Sequence, residues 1–286
     1  MGSAKTRPVA LIALAVVLAF GFAANSTAER AGHRGGKVWP RNPYPSPRAI
    51  RRAQEFAAGR GDVAFAVIDD SIGLRGYDQD RQFSSASVSK ALLLAAELRR
   101  LERDDLPLDE ETKSLLEPMI TYSENGAADS VYAQVGDAGL EEVARRAGME
   151  SFEATPGFWG GDQVTAADLA RFFYRLEENL PGPHRAYAKG LLARITPVER
   201  WGIPQAVGHG WSVWFKGGWR PAEEEGTSGA VTHQAALLVH RRGERVALTV
   251  LTDETPGDAT GYAAIEGVTE RLLAATPPNR RGWVAP

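Results

Sequence analysis

The stretch from Ser87 to about Arg103 constrains the fold more than any other part of the chain. Val88, Ala91, Leu92, Leu93, Leu94, Ala95, Ala96, Leu98 and Leu101 leave its first turns apolar all round. A helix of that kind has no face to give to water, so it must run through the centre of a domain. The chain is long enough to wrap it: 286 residues bury roughly three quarters of their unfolded surface without needing a staple.

The elements on either side define the fold class. Before the helix, Val63–Ile68 is a short apolar run and Leu74–Tyr77 follows a turn, which predicts two antiparallel strands. After it, Asp109–Ile120, Ala127–Val135, Leu140–Ala147 and Thr165–Leu180 carry helical spacing. The period then changes. Trp211–Lys216, His233–Arg241 and Arg245–Thr252 are rich in Val, Leu and aromatic residues, with Arg242-Gly243-Glu244 as a hairpin turn. A last helix is predicted from about Ala259 to Ala274. The expectation is an α+β fold: an antiparallel sheet built from both chain ends, flanked by helices, with an all-helical lobe.

The N-terminus reads differently. Lys5 and Arg7 precede an unbroken apolar run from Val9 to Ala24, followed by Asn25-Ser26-Thr27-Ala28. This is the pattern of a signal peptide over residues 1–28, and the run is short for a bilayer span. No Cys follows it, which argues against a lipid anchor on this run. A secreted or extracytoplasmic location is therefore expected, membrane-anchored if the run is not cleaved. Residues 29–47 hold Gly32, Gly35, Gly36, Pro40, Pro43, Pro45 and Pro47 and read as a linker. The domain is assigned to 48–276, its first helix capped near Ser46 or Pro47, and a tail to 277–286.

Charge follows the same division. Residues 1–28 carry +2 and the stretch 29–52 carries +6, so the net charge of −3 leaves −11 on residues 53–286. An acidic body excludes nucleic acid as the expected partner. The basic stretch is either a solvated linker or a cell-envelope contact. A monomer is expected. With no cysteine, thiolate catalysis, disulfides and cysteine zinc sites are excluded. His33, His184, His209, His233 and His240 show no metal-binding spacing, and neither a metal nor a cofactor is expected.

Chemistry enters at Ser87-Val88-Ser89-Lys90. A spacing of three puts Ser87 and Lys90 on one helix face. The helix N-terminus supplies N–H groups and positive potential where an oxyanion would develop. Lys90 among leucines would be partly desolvated, which favours a neutral amine able to take the serine proton. Only Lys5, Lys37, Lys90, Lys113, Lys189 and Lys216 are lysines among 33 basic residues, so a lysine in an apolar helix calls for a reason. Taken alone, the pattern also fits a capping serine and a snorkelling lysine.

Two more motifs follow in order. Tyr122-Ser123-Glu124-Asn125 lies at a break between helices, and Lys216-Gly217-Gly218 ends a predicted strand. Ser-x-x-Lys, Ser-x-Asn and Lys-x-Gly in this order resemble the serine β-lactamases and penicillin-binding proteins, most closely class A β-lactamases. Thr165-Ala166-Ala167-Asp168-Leu169-Ala170 resembles the segment that opens the helix after the Ω-loop in those enzymes. The resemblance spans about Ser46 to Thr276 and implies a small-molecule β-lactam or peptidoglycan-like substrate. It also implies that Ser87 is acylated, that Lys90 is its base or relay, and that Ser123 passes a proton to the leaving nitrogen. Asn125 would hold the substrate amide and brace Lys90, and Lys216 would draw a substrate carboxylate. Gly218 belongs to the third motif, and the N–H groups of Ser87 and Trp219 would form the oxyanion hole.

The departures are informative. Gly217 stands where the family has Thr or Ser, removing a hydroxyl that helps bind the substrate carboxylate, for which Arg220 or Thr232 would have to substitute. Glu124 replaces the family's Asp. The short interval between the first two motifs implies a trimmed helical lobe and an open cleft. The loop Gly148–Gly157 lacks the Glu-x-x-Leu-Asn motif that deacylates class A enzymes, and Glu150 and Glu153 are its only acids. The expectation is an exported serine hydrolase acting on β-lactams, or a D,D-peptidase, esterase or penicillin-binding envelope module with little turnover.

Overall fold

The computed structural model describes residues 43–71, 73–221 and 229–275. The expected signal peptide, most of the linker and the tail lie outside the described residues. The elements in chain order are α1 (Pro47–Ala58), β1 (Val63–Asp69), β2 (Gly73–Tyr77), β3 (Gln82–Ser84), a 3-10 turn (Ala86–Ser89), α2 (Lys90–Arg103), α3 (Glu110–Thr121) and α4 (Asn125–Ala147). They continue with β4 (Gln163–Thr165), α5 (Ala166–Tyr174), α6 (Leu176–Asn179), α7 (Arg185–Ala193), α8 (Ile203–Ala206), β5 (Trp211–Arg220), β6 (Ala230–His240), β7 (Arg245–Thr255) and α9 (Asp258–Leu273).

The main sheet is antiparallel with strand order β2-β1-β7-β6-β5. The N-terminal strand β1 is buried along its whole length and pairs with β7, Val63 opposite Thr252. The sheet is thus assembled from both chain ends, and the α+β expectation holds. α1 and α9 pack against each other and onto the sheet, while α5 packs on β1, β6 and β7. α2, α3 and α4 pack together as the helical part. Ser46 caps α1, its hydroxyl accepting from Ala49 N.

The structure corrects three predicted boundaries. The predicted helix Ser87–Arg103 opens with the tighter 3-10 turn before α2 begins at Lys90. Thr165–Leu180 is broken at Arg175 into α5 and α6, because Arg175 departs from helical geometry. Lys216-Gly217-Gly218 lies inside a strand, not at its end: β5 continues to Arg220 in unbroken register with β6. As predicted, α2 is central. Every residue from Lys90 to Leu98 is buried, and α3, α4 and the 3-10 turn surround it.

Candidate active site

Four elements bring the motif residues together. The 3-10 turn presents Ser87, half-buried, in front of α2, and α2 begins with Lys90, which is completely buried. Ala86, just before Ser87, has φ 47°, in a left-handed region that costs a non-glycine residue energy. Ser123 has φ 56° and sits at the break between α3 and α4, where the Glu124 side chain caps α4 by accepting from Gly126 N and Ala127 N. Two strained residues therefore flank one site.

The side chains converge on the Ser123 hydroxyl. Lys90 Nζ donates to Ser123 O at 2.5 Å, to Asn125 Oδ1 at 2.7 Å and to Ser123 Oγ at 3.2 Å. Lys216 Nζ donates to Ser123 Oγ and to Gly217 O, both at 2.9 Å. Burial and the neighbouring Lys216 pull the Lys90 ammonium down to about 7, and burial pulls Lys216 down to about 8, since low-dielectric surroundings disfavour the charged form. A neutral Lys90 keeps two N–H bonds for the obligate acceptors Ser123 O and Asn125 Oδ1, leaving its lone pair for a hydroxyl proton.

Strand β5 closes the site. A Cβ on Gly218 would lie 2.9 Å from both Ser87 N and Val88 N, so only glycine lets the strand run this close to the head of the helix. A Cβ on Gly217 points the other way and would lie 3.1 Å from the Trp201 ring. Alternation along the strand places Lys216, Gly218 and Arg220 on the face toward Ser87, and Gly217 and Trp219 on the opposite face. Trp219 thus borders the site through its backbone. Thr232 is fully buried and packs against Gly261 of α9, so its hydroxyl is not open to a substrate. Arg220 lies on the face toward Ser87, 3.8 Å from Asp253.

The loop after α4 differs from its expected role. Glu150 and Glu153 are both exposed. Glu150 accepts from Arg171 at 3.1 Å, Glu153 is tied through its backbone to Gln163, and neither reaches the lysines. The loop instead places Trp159 over Lys90, 4.9 Å from Nζ to the ring centre. The indole is held by Nε1 donating to Asp129 at 2.8 Å. The loop's buried acid is Asp162, which accepts from Thr155 N at 3.0 Å and is raised to about 7 by burial.

Sequence reasoning missed two residues. Trp159 precedes Gly160-Gly161, and a large aromatic beside two glycines is a signal of close packing. Glu199 carries no local mark in Pro197-Val198-Glu199-Arg200. It is buried with its Oε2 3.7 Å from Lys216 Nζ, and burial raises its pKa.

Comparison with known proteins agrees with the fold. The profile of the Beta-lactamase enzyme family matches residues 111–276. Proteins of Mycobacterium tuberculosis and Mycobacterium bovis named "Putative lipoprotein LppW" are 31% identical over 210 residues, 63% of this chain and 66% of theirs. This chain therefore spans just under two thirds of those relatives. Among solved structures, a β-lactamase from Sphaerobacter thermophilus superposes with a TM-score of 0.68 at 19% identity, over 80% of this chain and 98% of that one. A mutant of PBP-A in an acyl-enzyme complex with penicillin G gives 0.68 at 18% identity, over 79% and 95%. With the fold shared and more than half of the chain matched, the protein belongs to the beta-lactamase enzyme family.

Proposed function

We propose that the protein is a serine hydrolase that forms an acyl-enzyme at Ser87 with β-lactams or related amides and esters, and releases it slowly. The observation that carries this reading is the convergence of Lys90 and Lys216 on the Ser123 hydroxyl behind the helix head that bears Ser87. Lys90, neutral in part near pH 7, takes the Ser87 proton as Oγ attacks the acyl carbon. The N–H groups of Ser87 and Trp219 receive the developing oxyanion. Ser123, held by Lys216, hands the proton to the leaving nitrogen or oxygen, and Asn125 fixes Lys90 and offers its amide to the substrate.

Slow release follows from Trp159. An indole stands over Lys90, and Glu150 and Glu153, the two loop acids expected to activate a water, are turned outward. This favours a penicillin-binding envelope module, D,D-peptidase or esterase over a fast β-lactamase. The apolar run Val9–Ala24 and the lipoprotein name of the mycobacterial relatives support an extracytoplasmic protein at the membrane.

Intact-mass spectrometry with benzylpenicillin, beside a Ser87→Ala control, tests the reading. The expected result is an adduct on the wild type that persists for hours and is absent from the control. An adduct on Ser87→Ala at the wild-type level overturns the mechanism, and an adduct that clears within minutes overturns slow release.

A further inference from the structure

The strand face that should meet a substrate carboxylate is already matched within the protein. Lys216 is fully buried, and a lysine has three donors. Two go to Ser123 Oγ and Gly217 O, and the buried Glu199 carboxylate stands 3.7 Å away. Arg220, four residues on and on the same face, has Asp253 at 3.8 Å. Each cation of β5 beside the site therefore has a resident acid. Position 217, where the family carries a hydroxyl, is a glycine on the other face, and a Cβ there would lie 3.1 Å from the Trp201 ring. That ring is buried and stacks on Tyr262 with centroids 4.4 Å apart, so it cannot swing aside without breaking a packed pair.

We propose that this site takes acyl donors with no carboxylate beside the scissile bond, namely neutral esters and amides, with Glu199 supplying internally the negative charge that a substrate would otherwise bring to Lys216. The proposal rests on Ser87 being the acylated nucleophile. The chemistry balances without a further reactant. A bond forms between Ser87 Oγ and the acyl carbon, the bond from that carbon to the leaving nitrogen or oxygen breaks, and the serine proton passes through Lys90 and Ser123 to the leaving atom. A carboxylate on the leaving side has no open cation to meet, and burying it beside Glu199 and Asp253 costs desolvation with no paired charge in return.

The test compares benzylpenicillin with its methyl ester, which differ only in that carboxylate. Second-order acylation rates are read by intact mass on the full-length protein, with Ser87→Ala as the control for site. The ester is expected to react faster than the free acid or within about tenfold of it. A preference for the free acid greater than about tenfold overturns the proposal. In Glu199→Gln the ratio is expected to move about tenfold toward the free acid, because Lys216 then lacks its counter-charge. An unchanged ratio in a folded Glu199→Gln protein removes Glu199 from the explanation and overturns that part. No adduct with either compound refutes acylation by β-lactams at Ser87 and takes the proposal with it, a result distinct from an adduct with the wrong preference.

Discussion

Lys90 carries the pH dependence of the site. Burial and the charge of Lys216 bring it to about 7, so the neutral amine becomes the major form as pH rises through 7. The acylation rate is expected to climb with a midpoint near that pH and to level above it, measured as the initial rate of adduct formation from pH 5 to 9. Lys90→Arg keeps the charge but cannot give up a proton, and should lower the rate by a factor of about 10² to 10⁴. Equal rates for Lys90→Arg and wild type would exclude Lys90 as the base. At this scale the sequence was legible where rare residues stand at fixed spacing, as for Ser87, Lys90, Ser123, Asn125 and Lys216. It was silent on Glu199, whose position depends on the chain folding back toward β5 from a segment with no periodic signal.

Strand β5 and the head of α2 act as a pair, since the strand backbone passes within one atom's width of Ser87 N. Gly218→Ala places a methyl 2.9 Å from two backbone nitrogens, and backbone cannot yield as a side chain can. The expected cost is about 1 to 3 kcal/mol of stability, read from the denaturant midpoint, together with a loss of acylation. A variant with unchanged midpoint and rate would show that the strand and helix are not locked together. Elements were readable in type and less so in extent. Two glycines after Lys216 suggested a strand end, yet here they keep the strand going against a helix. The short pair β3 and β4, three residues each, with Phe83 opposite Val164 far along the chain, carries too little pattern to be seen in advance.

Across the whole molecule, buried titratable groups couple stability to acidity. His233, buried on β6, accepts from Thr252 N at 3.2 Å and lies 2.9 Å from Ser84 O, an arrangement that requires one neutral tautomer. Burial holds it down to about 4, against roughly 6.5 in an unfolded chain. The unfolded state therefore binds the extra proton between these values, so this contribution rises with pH across the window and is lost as pH falls from 6.5 to 4. Wild type should lose about 3 kcal/mol more than His233→Gln over that interval. Chemical denaturation of both proteins at pH 6.5 and 4 checks this, with the opposing effect of Asp162 common to both. Parallel curves would show that His233 does not titrate with unfolding. The pairing of β1 with β7 has a further consequence, for time. During synthesis β1 emerges early, but its partner β7 is made about 180 residues later, so β1 must wait unpaired on that side. Such distant pairing makes folding slow, and it leaves Lys216 unable to reach Ser123 until the last strands arrive. A nascent chain is therefore chemically inert until β5, β6 and β7 have been made. For the same reason, a chain cut between α7 and β5 should regain acylation only when both pieces are present to close one sheet.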